Sequence, residues 1–290
     1  MSPDLRGIIP IVYTPFDPSG AIDRHSLQRL VDYLVAAGAH GLAMTGQASE
    51  SAWLGHDQRR QLAEWTAASL SGRLPLIAGV NAGNTADAVA CARHAVACGA
   101  QVVFCAAPGA GPVGGEALVR HFHVLADAVP VPVMIQNTPS APLSADLIAR
   151  AASHQNIRYV KEESTHAGHM VTAVQALRPD LRLFTGGKNP VADLARGAVG
   201  GIPGSVGVAD LAACHNAAVR NDLAEARQRL NHVAPLLLAI ASNPLAWAKE
   251  ILRRLGVIAH AGTISPHARG LDAADQAELT AVMDSMGPPY

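Results

Sequence analysis

Lys161 ends the run Ile157-Arg158-Tyr159-Val160. Lysine is seldom buried without a partner. Desolvation lowers its pKa, and part of the amine is then neutral and nucleophilic. Such an amine attacks a ketone to form an imine, and the protonated imine is an electron sink for an adjacent carbanion. A rim salt bridge to Glu162 or Glu163 is the other reading of the same position. Further candidates close apolar runs elsewhere. Thr45-Gly46-Gln47-Ala48-Ser49 offers successive backbone N–H groups among small residues, a concavity able to hold a carboxylate. Gln136-Asn137 and Thr185-Gly186-Gly187-Lys188 end two more runs. Lys188 either binds an anion or is a solvated loop lysine. Lys249 lies in an apolar helical stretch near the C-terminus, where snorkelling or a helix-pair contact is expected.

The elements that must position these residues alternate in type. Short apolar runs at 7–13, 41–45, 74–80, 102–107, 131–136, 157–161, 181–186 and 200–205 read as strands. Each is followed by a helical stretch, at 25–38, 56–70, 85–98, 115–128, 144–153, 167–177, 190–197 and 208–220. The runs do not alternate apolar with polar, as expected of parallel strands covered on both faces. Eight such units predict an α/β fold, a (β/α)8 TIM barrel over 1–220. Residues 221–290 carry no strand signal and read as a C-terminal helical appendage, with helices near 222–240, 244–255 and 272–285. In a barrel of this kind, functional residues sit at the C-terminal ends of strands. That rule selects the loops after strands 2, 4, 5, 6 and 7; Ile202 in the eighth strand is a further candidate.

Composition narrows the partners. The chain has 290 residues, 22 basic and 23 acidic, and a net charge of -1. No basic stripe suggests nucleic acid. No apolar run approaches the roughly 18 residues of a membrane span. The N-terminus lacks the pattern of a signal peptide. Cys91, Cys98, Cys105 and Cys214 form no CxxC and read as buried structural thiols, which suits a reducing cytoplasm. There are 13 histidines but no HExxH. Most, including His94, His121 and His123, fall on predicted helices with surface roles, and no metal site is predicted. No GxGxxG follows the first strand and there is no Walker-type loop, so no nucleotide cofactor is expected.

Across nearly its whole length the chain resembles the dihydrodipicolinate synthase / N-acetylneuraminate lyase superfamily. The residues that carry the likeness are G-I-I-P-I-V-Y-T-P-F (7–16), G-x-x-x-x-G-x-x-x-E-S (41–51), Asn137 with Pro139, Y-V-K-E (159–162) and N-P-L-A-W-A-K (243–249). The resemblance implies a barrel with a C-terminal helical region, Lys161 as the imine-forming residue, and a homotetramer. It also implies no cofactor beyond the imine itself. The departures bear on the reaction. The family's two middle hydroxyls after strand 2 are replaced by Gln47-Ala48, with Ser49 next door. Gln136 stands where the family has a proton-relaying tyrosine, and the second relay tyrosine falls at Gly109 or Ala110. The synthase's substrate-binding arginine falls near Ala141. An amide does not titrate near neutral pH, so Gln136 binds substrate but shuttles no proton. In these places the chain is similar to the L-2-keto-3-deoxyarabonate dehydratase subgroup, through Gln136, Ser49-Glu50, Glu163 and G-V-I-A (256–259).

The combined expectation is a Schiff-base lyase acting on a 2-oxo acid, by dehydration or a related elimination. Lys161 forms the imine, and Glu163 is the candidate base at C3 if the strand stays extended to 163; an ion partner for a nearby cation is its other reading. Gln136, Gln47, Ala48, Ser49, Thr185, Gly186, Gly187 and Ile202 line the substrate, with Ser49 or Thr185 assisting a leaving hydroxyl. A class I aldolase and a non-catalytic 2-oxo-acid-binding barrel are the alternatives.

Overall fold

The computed structural model describes residues 4–108 and 114–286. Strands and helices alternate: β1 (Gly7–Ile8), α1 (Arg24–Ala36), β2 (Leu42–Met44), α2 (His56–Leu70), β3 (Leu76–Gly79), α3 (Thr85–Ala97), β4 (Val102–Ala106) and α4 (Gly115–Asp127). They continue as β5 (Val133–Asn137), α5 (Ala145–Ala151), β6 (Ile157–Glu162), α6 (Ala167–Leu177), β7 (Arg182–Thr185), α7 (Pro190–Ala195), β8 (Gly200–Gly201) and α8 (Val208–Val219). Three further helices complete the described chain, α9 (Leu223–Ala241), α10 (Pro244–Arg254) and α11 (Ala273–Met286). The strands form one parallel sheet in the order β1-β8-β7-β6-β5-β4-β3-β2. Its two ends meet through a parallel bridge between Ile11 and Ala43, with Ala43 N–H donating to Pro10 O and Val12 N–H to Ala43 O. The arrangement is TIM-barrel-like.

Local chemistry starts the helices where the sequence turns. Asp23, Asn84, Ser144, Asn189 and Asp222 each accept a backbone N–H in the first turn of the helix they precede. Pro190 and Pro244 supply a preset φ where no intrahelical donor is required.

Two apolar shells divide the strand residues by parity. Ile9, Ile11, Ile77, Phe104, Met134, Tyr159, Phe184 and Ile202 pack together inside the barrel. Their neighbours Val103, Cys105, Ile135, Val160 and Leu183 face the helices. Both faces are therefore apolar, which is why the runs carry no alternation in sequence. The same parity turns Gln136 and Lys161 inward above Met134 and Tyr159.

Four expectations change. The regular parts of the first and last strands are only two residues long, against 7–13 and 200–205. Pro10 and Pro203 have no N–H to donate to a ladder; Ile9 N–H and Ile11 N–H still reach Gly201 O and Pro203 O. His121 is buried rather than on the surface, with Nδ1 against Thr85 Oγ1 at 2.9 Å and Nε2 against Cys105 Sγ at 3.6 Å. Cys105 and Cys214 are buried, but Cys91 and Cys98 are only half-buried. Lys249 neither snorkels nor makes a simple helix-pair contact: it is fully buried against Glu50. The turn between α8 and α9 is where the predicted boundary near 220 falls. Among the described residues no helix is long and apolar enough to cross a membrane.

Candidate active site

β5, β6 and β7 lie side by side with Gln136 opposite Lys161 and Lys161 opposite Phe184. Ala106 on β4 stands opposite Gln136. One row across the barrel's C-terminal end thus carries an amide, an amine and an aromatic ring. Lys161 is 1% exposed. β6 ends at Glu162, but Glu163 N–H still donates to Asn137 O at 2.9 Å. The extended geometry therefore persists, and residues 161 and 163 share the inner face. Lys161 Nζ lies 2.9 Å from Glu163 Oε2. The same oxygen accepts Gln136 Nε2 at 2.8 Å. The other oxygen, Oε1, turns toward Gly186, where a Cβ would stand 3.8 Å away. Glu162, of opposite parity, accepts Asn137 Nδ2 and Ser164 N–H at 2.7 Å each, outside the barrel.

A fourth polar side chain joins the cluster. Asn81 Nδ2 donates to Gln136 Oε1 at 3.4 Å, and Asn81 Oδ1 accepts Ala106 N–H at 2.7 Å. Sequence reasoning from strand ends alone misses Asn81, although it continues the inward parity of Ile77 and Gly79 two residues past β3. Counting by twos past each strand end would find it.

Phe104 is the floor of this cluster. Its ring lies 5.8 Å from Lys161 Nζ; a Cβ on Gly79 would collide with it at 2.9 Å, and one on Gly46 would crowd it at 3.3 Å. Position 46 of the strand-2 loop and position 79 at the end of β3 thus approach that ring because they carry no Cβ. Within that loop Gln47 is exposed and Ala48 half-buried against the inner core. Ser49 is fully buried and its hydroxyl donates to Val12 O at 2.6 Å. Thr185 has outward parity: its hydroxyl donates to Asp193 Oδ2 of α7 at 2.5 Å and accepts Gly187 N–H at 3.0 Å. Burial raises the pKa of that Asp193 carboxyl. Both hydroxyls expected to assist a leaving group are therefore engaged elsewhere. Gly186 borders Glu163, and Gly187, at φ 71°, packs its Cα where a Cβ on Gly201 would fall, 2.2 Å away. Ile202 is buried in the inner core, and its N–H donates to Thr185 O at 2.9 Å. Gly109 and Ala110, the expected station of the second relay group, lie outside the described residues.

Glu50 closes the strand-2 loop in a left-handed conformation, φ 57°. Its Oε1 takes Lys249 Nζ, and its Oε2 takes Ile264 N–H at 2.7 Å and Ser265 N–H at 2.9 Å. Lys249 Nζ also donates to Gly262 O at 2.7 Å and lies 4.4 Å from the centre of the Phe16 ring. Burial lowers the Lys249 pKa against the opposing pull of Glu50. Burial first, and the Glu50 charge second, raise that of the neighbouring Tyr13. A cavity of about 390 Å³ opens at the opposite end of the barrel, by Asp4, Arg158, Arg178 and Arg182. It contains none of the residues around Lys161, and parity and pairing make that row the better candidate for chemistry. Among the described residues no three His, Cys, Asp or Glu side chains converge as a metal site.

A buried amine, a carboxylate touching it and an amide on that carboxylate can form an imine and move a proton beside it. The family model of the dihydrodipicolinate synthetase family matches residues 4–285. The 4-hydroxy-tetrahydrodipicolinate synthase of Nitrobacter hamburgensis is 32% identical over 258 residues, covering 87% of each chain. That of Phenylobacterium zucineum is 31% identical, covering 99% of each. Among solved structures, the dihydrodipicolinate synthase of Thermotoga maritima superimposes with a TM-score of 0.89 at 21% identity, covering 97% of this chain and 98% of that one. YagE of E. coli K12, a prophage protein of the dihydrodipicolinic acid synthase family solved with pyruvate, gives a TM-score of 0.88 at 24% identity, covering 98% and 99%. With the match running from one end of the described chain to the other, the protein belongs to the dihydrodipicolinate synthetase family and is an enzyme of the class I aldolase or lyase type.

Proposed function

We propose that this enzyme is a Schiff-base lyase that dehydrates a 2-oxo acid of the 2-keto-3-deoxy type, with Lys161 as nucleophile and Glu163 as base. The observation that carries the reading is the 2.9 Å contact between Lys161 Nζ and Glu163 Oε2. In the first step Glu163 accepts a proton from the Lys161 ammonium. The neutral amine adds to C2 of the substrate, and loss of water gives the protonated imine. Glu163, its proton returned to the departing water, then removes a proton from C3. The electrons of that C–H bond form the C2=C3 enamine. The enamine expels hydroxide from C4, which leaves as water with a proton from Glu163. Hydrolysis of the unsaturated imine frees the product and Lys161. Gln136 holds the carboxylate in place through the 2.8 Å bond to Oε2.

The relatives are named as synthases, but Gln136 stands where the resemblance expects the synthase's tyrosine, and its arginine falls near Ala141. That difference favours elimination over synthesis. Retro-aldol cleavage is the second reading, because the same enamine can break a C–C bond; pyruvate release would identify it. The resemblance further supports a homotetramer acting without a cofactor. Unpaired thiols at Cys91, Cys98, Cys105 and Cys214 support a cytoplasmic setting.

The test is mass-spectrometric trapping with borohydride across a panel of 2-oxo acids, with products identified. Glu163→Gln should abolish turnover while the Lys161 adduct still forms. Full turnover in that variant would sink the assignment of the base.

A further inference from the structure

The line of amides behind Glu163 has a fixed direction. It begins at the backbone N–H of Ala106, which can only donate, 2.7 Å from Asn81 Oδ1. A carboxamide has one accepting end and one donating end. With Oδ1 occupied, Asn81 offers Nδ2 to Gln136 Oε1 at 3.4 Å. Gln136 must then present Nε2, not its carbonyl, to Glu163 Oε2 at 2.8 Å. The sense of every link is set by a single N–H held in place by β4.

We propose that Asn81 is a positioning residue for proton transfer at C3: it sets the sense of the Gln136 amide and so keeps a donor against the Glu163 carboxylate. The inference rests on the reading of Glu163 as the base. Were the Gln136 amide reversed, two acceptor oxygens would face each other at 2.8 Å, and Gln136 would swing away. Glu163 Oε2 would then keep only its contact with Lys161 and lose the donor that orients it there. Asn81 is suited to the task because it is half-buried at the barrel mouth and bonded on one side to the sheet, on the other to Gln136. No motif marks it; its strand parity and its contacts do.

The probe is pyruvate in D2O. Imine formation at Lys161, removal of a methyl proton, and return of a deuteron to C3 together exchange the methyl group without further chemistry. Asn81→Asp is nearly isosteric and still accepts Ala106 N–H, but it offers Gln136 an acceptor where Asn81 offered a donor. The Gln136 amide then reverses. We expect kcat for exchange to fall about tenfold or more, with KM for pyruvate and the borohydride yield at Lys161 held within about twofold. Asn81→Ala, which removes the tether without adding charge, should lose about threefold to tenfold of the exchange rate. In a Gln136→Leu background, Asn81→Asp should add nothing, since the residue acts through that amide. Wild-type exchange in Asn81→Asp, or an undiminished effect of it in Gln136→Leu, overturns the proposal. Glu163→Gln assayed alongside keeps the two readings apart. Exchange that survives in Glu163→Gln overturns the base itself. Exchange lost there but untouched in Asn81→Asp overturns only the positioning role.

Discussion

Glu50 and Lys249 bury opposite charges with almost every polar valence answered by Ile264, Ser265 and Gly262. Such a pair adds modest stability as a whole, but the loss of one partner strands the other's charge in a medium that solvates it badly. Lys249→Met should therefore destabilise the protein by about 3–5 kcal/mol in urea titrations. The double variant Glu50→Gln/Lys249→Met should recover a large part of that loss. If it were as unstable as the single variant, the cost would lie in packing rather than in stranded charge. The two ends of this pair are each visible in the sequence as pieces of family motifs. Their partnership is not, because a separation of 199 residues leaves no periodicity to read. Lys161, Glu163 and Gln136 are legible for the opposite reason: strand parity and the barrel-end rule are local, and they survive in a string of letters. Thr185 shows the error of reading type without parity. Phe184 beside it faces the barrel interior, so the threonine hydroxyl has to face α7, where Asp193 takes it.

At the scale of elements, the sheet's seams on either side of β8, with β7 and with β1, depend on missing side chains. Gly201 packs against the Cα of Gly187, and Gly200 against the carbonyl oxygen of Gly7, where a Cβ would stand only 2.2 Å and 2.0 Å away. The obstacle in each case is backbone, which cannot rotate aside. Gly201→Ala should cost about 2 kcal/mol or more in thermal or urea unfolding, by prying β7 from β8. It should also depress turnover, since Gly187 shares its loop with Gly186, which borders Glu163. An unchanged Tm would mean that the seam opens more easily than its geometry implies. Eight strands and their helices can be read from the sequence because each run is long enough to bury two faces. The true length of the first and last cannot, because prolines interrupt the ladder inside runs that remain apolar and partnered.

Across the whole molecule, the C-terminal helices are held by ionisable contacts as well as by apolar ones. His232 on α9 places Nδ1 2.8 Å from Asp210 Oδ2 on α8 and Nε2 3.0 Å from Met286 O at the end of α11. Both partners accept, so both bonds form together only with the doubly protonated ring. The bond to Met286 O, then that to Asp210, accordingly raises the His232 pKa above its ordinary 6.5. A raised folded-state pKa stabilises fully below the unfolded value and loses its effect as pH climbs through the folded one. The stability gap between the native protein and His232→Gln should thus be largest near pH 6 and shrink by about pH 8 or above. With His232 43% exposed, the gap should stay under about 1 kcal/mol. A gap that grows with pH, measured by Tm across that range, would refute the assignment.

The Glu50–Lys249 contact also sets an order of events during synthesis. The carboxylate leaves the ribosome 199 residues ahead of the amine that neutralises it. At about 5–20 residues per second, that interval is roughly 10–40 s. Until α10 arrives, Glu50 lacks the cation that it pairs with in the folded protein. The strands of the barrel, Lys161 among them, are thus synthesised before the amine that Glu50 pairs with, and the strand-2 loop gains its buried ion pair only as α10 docks.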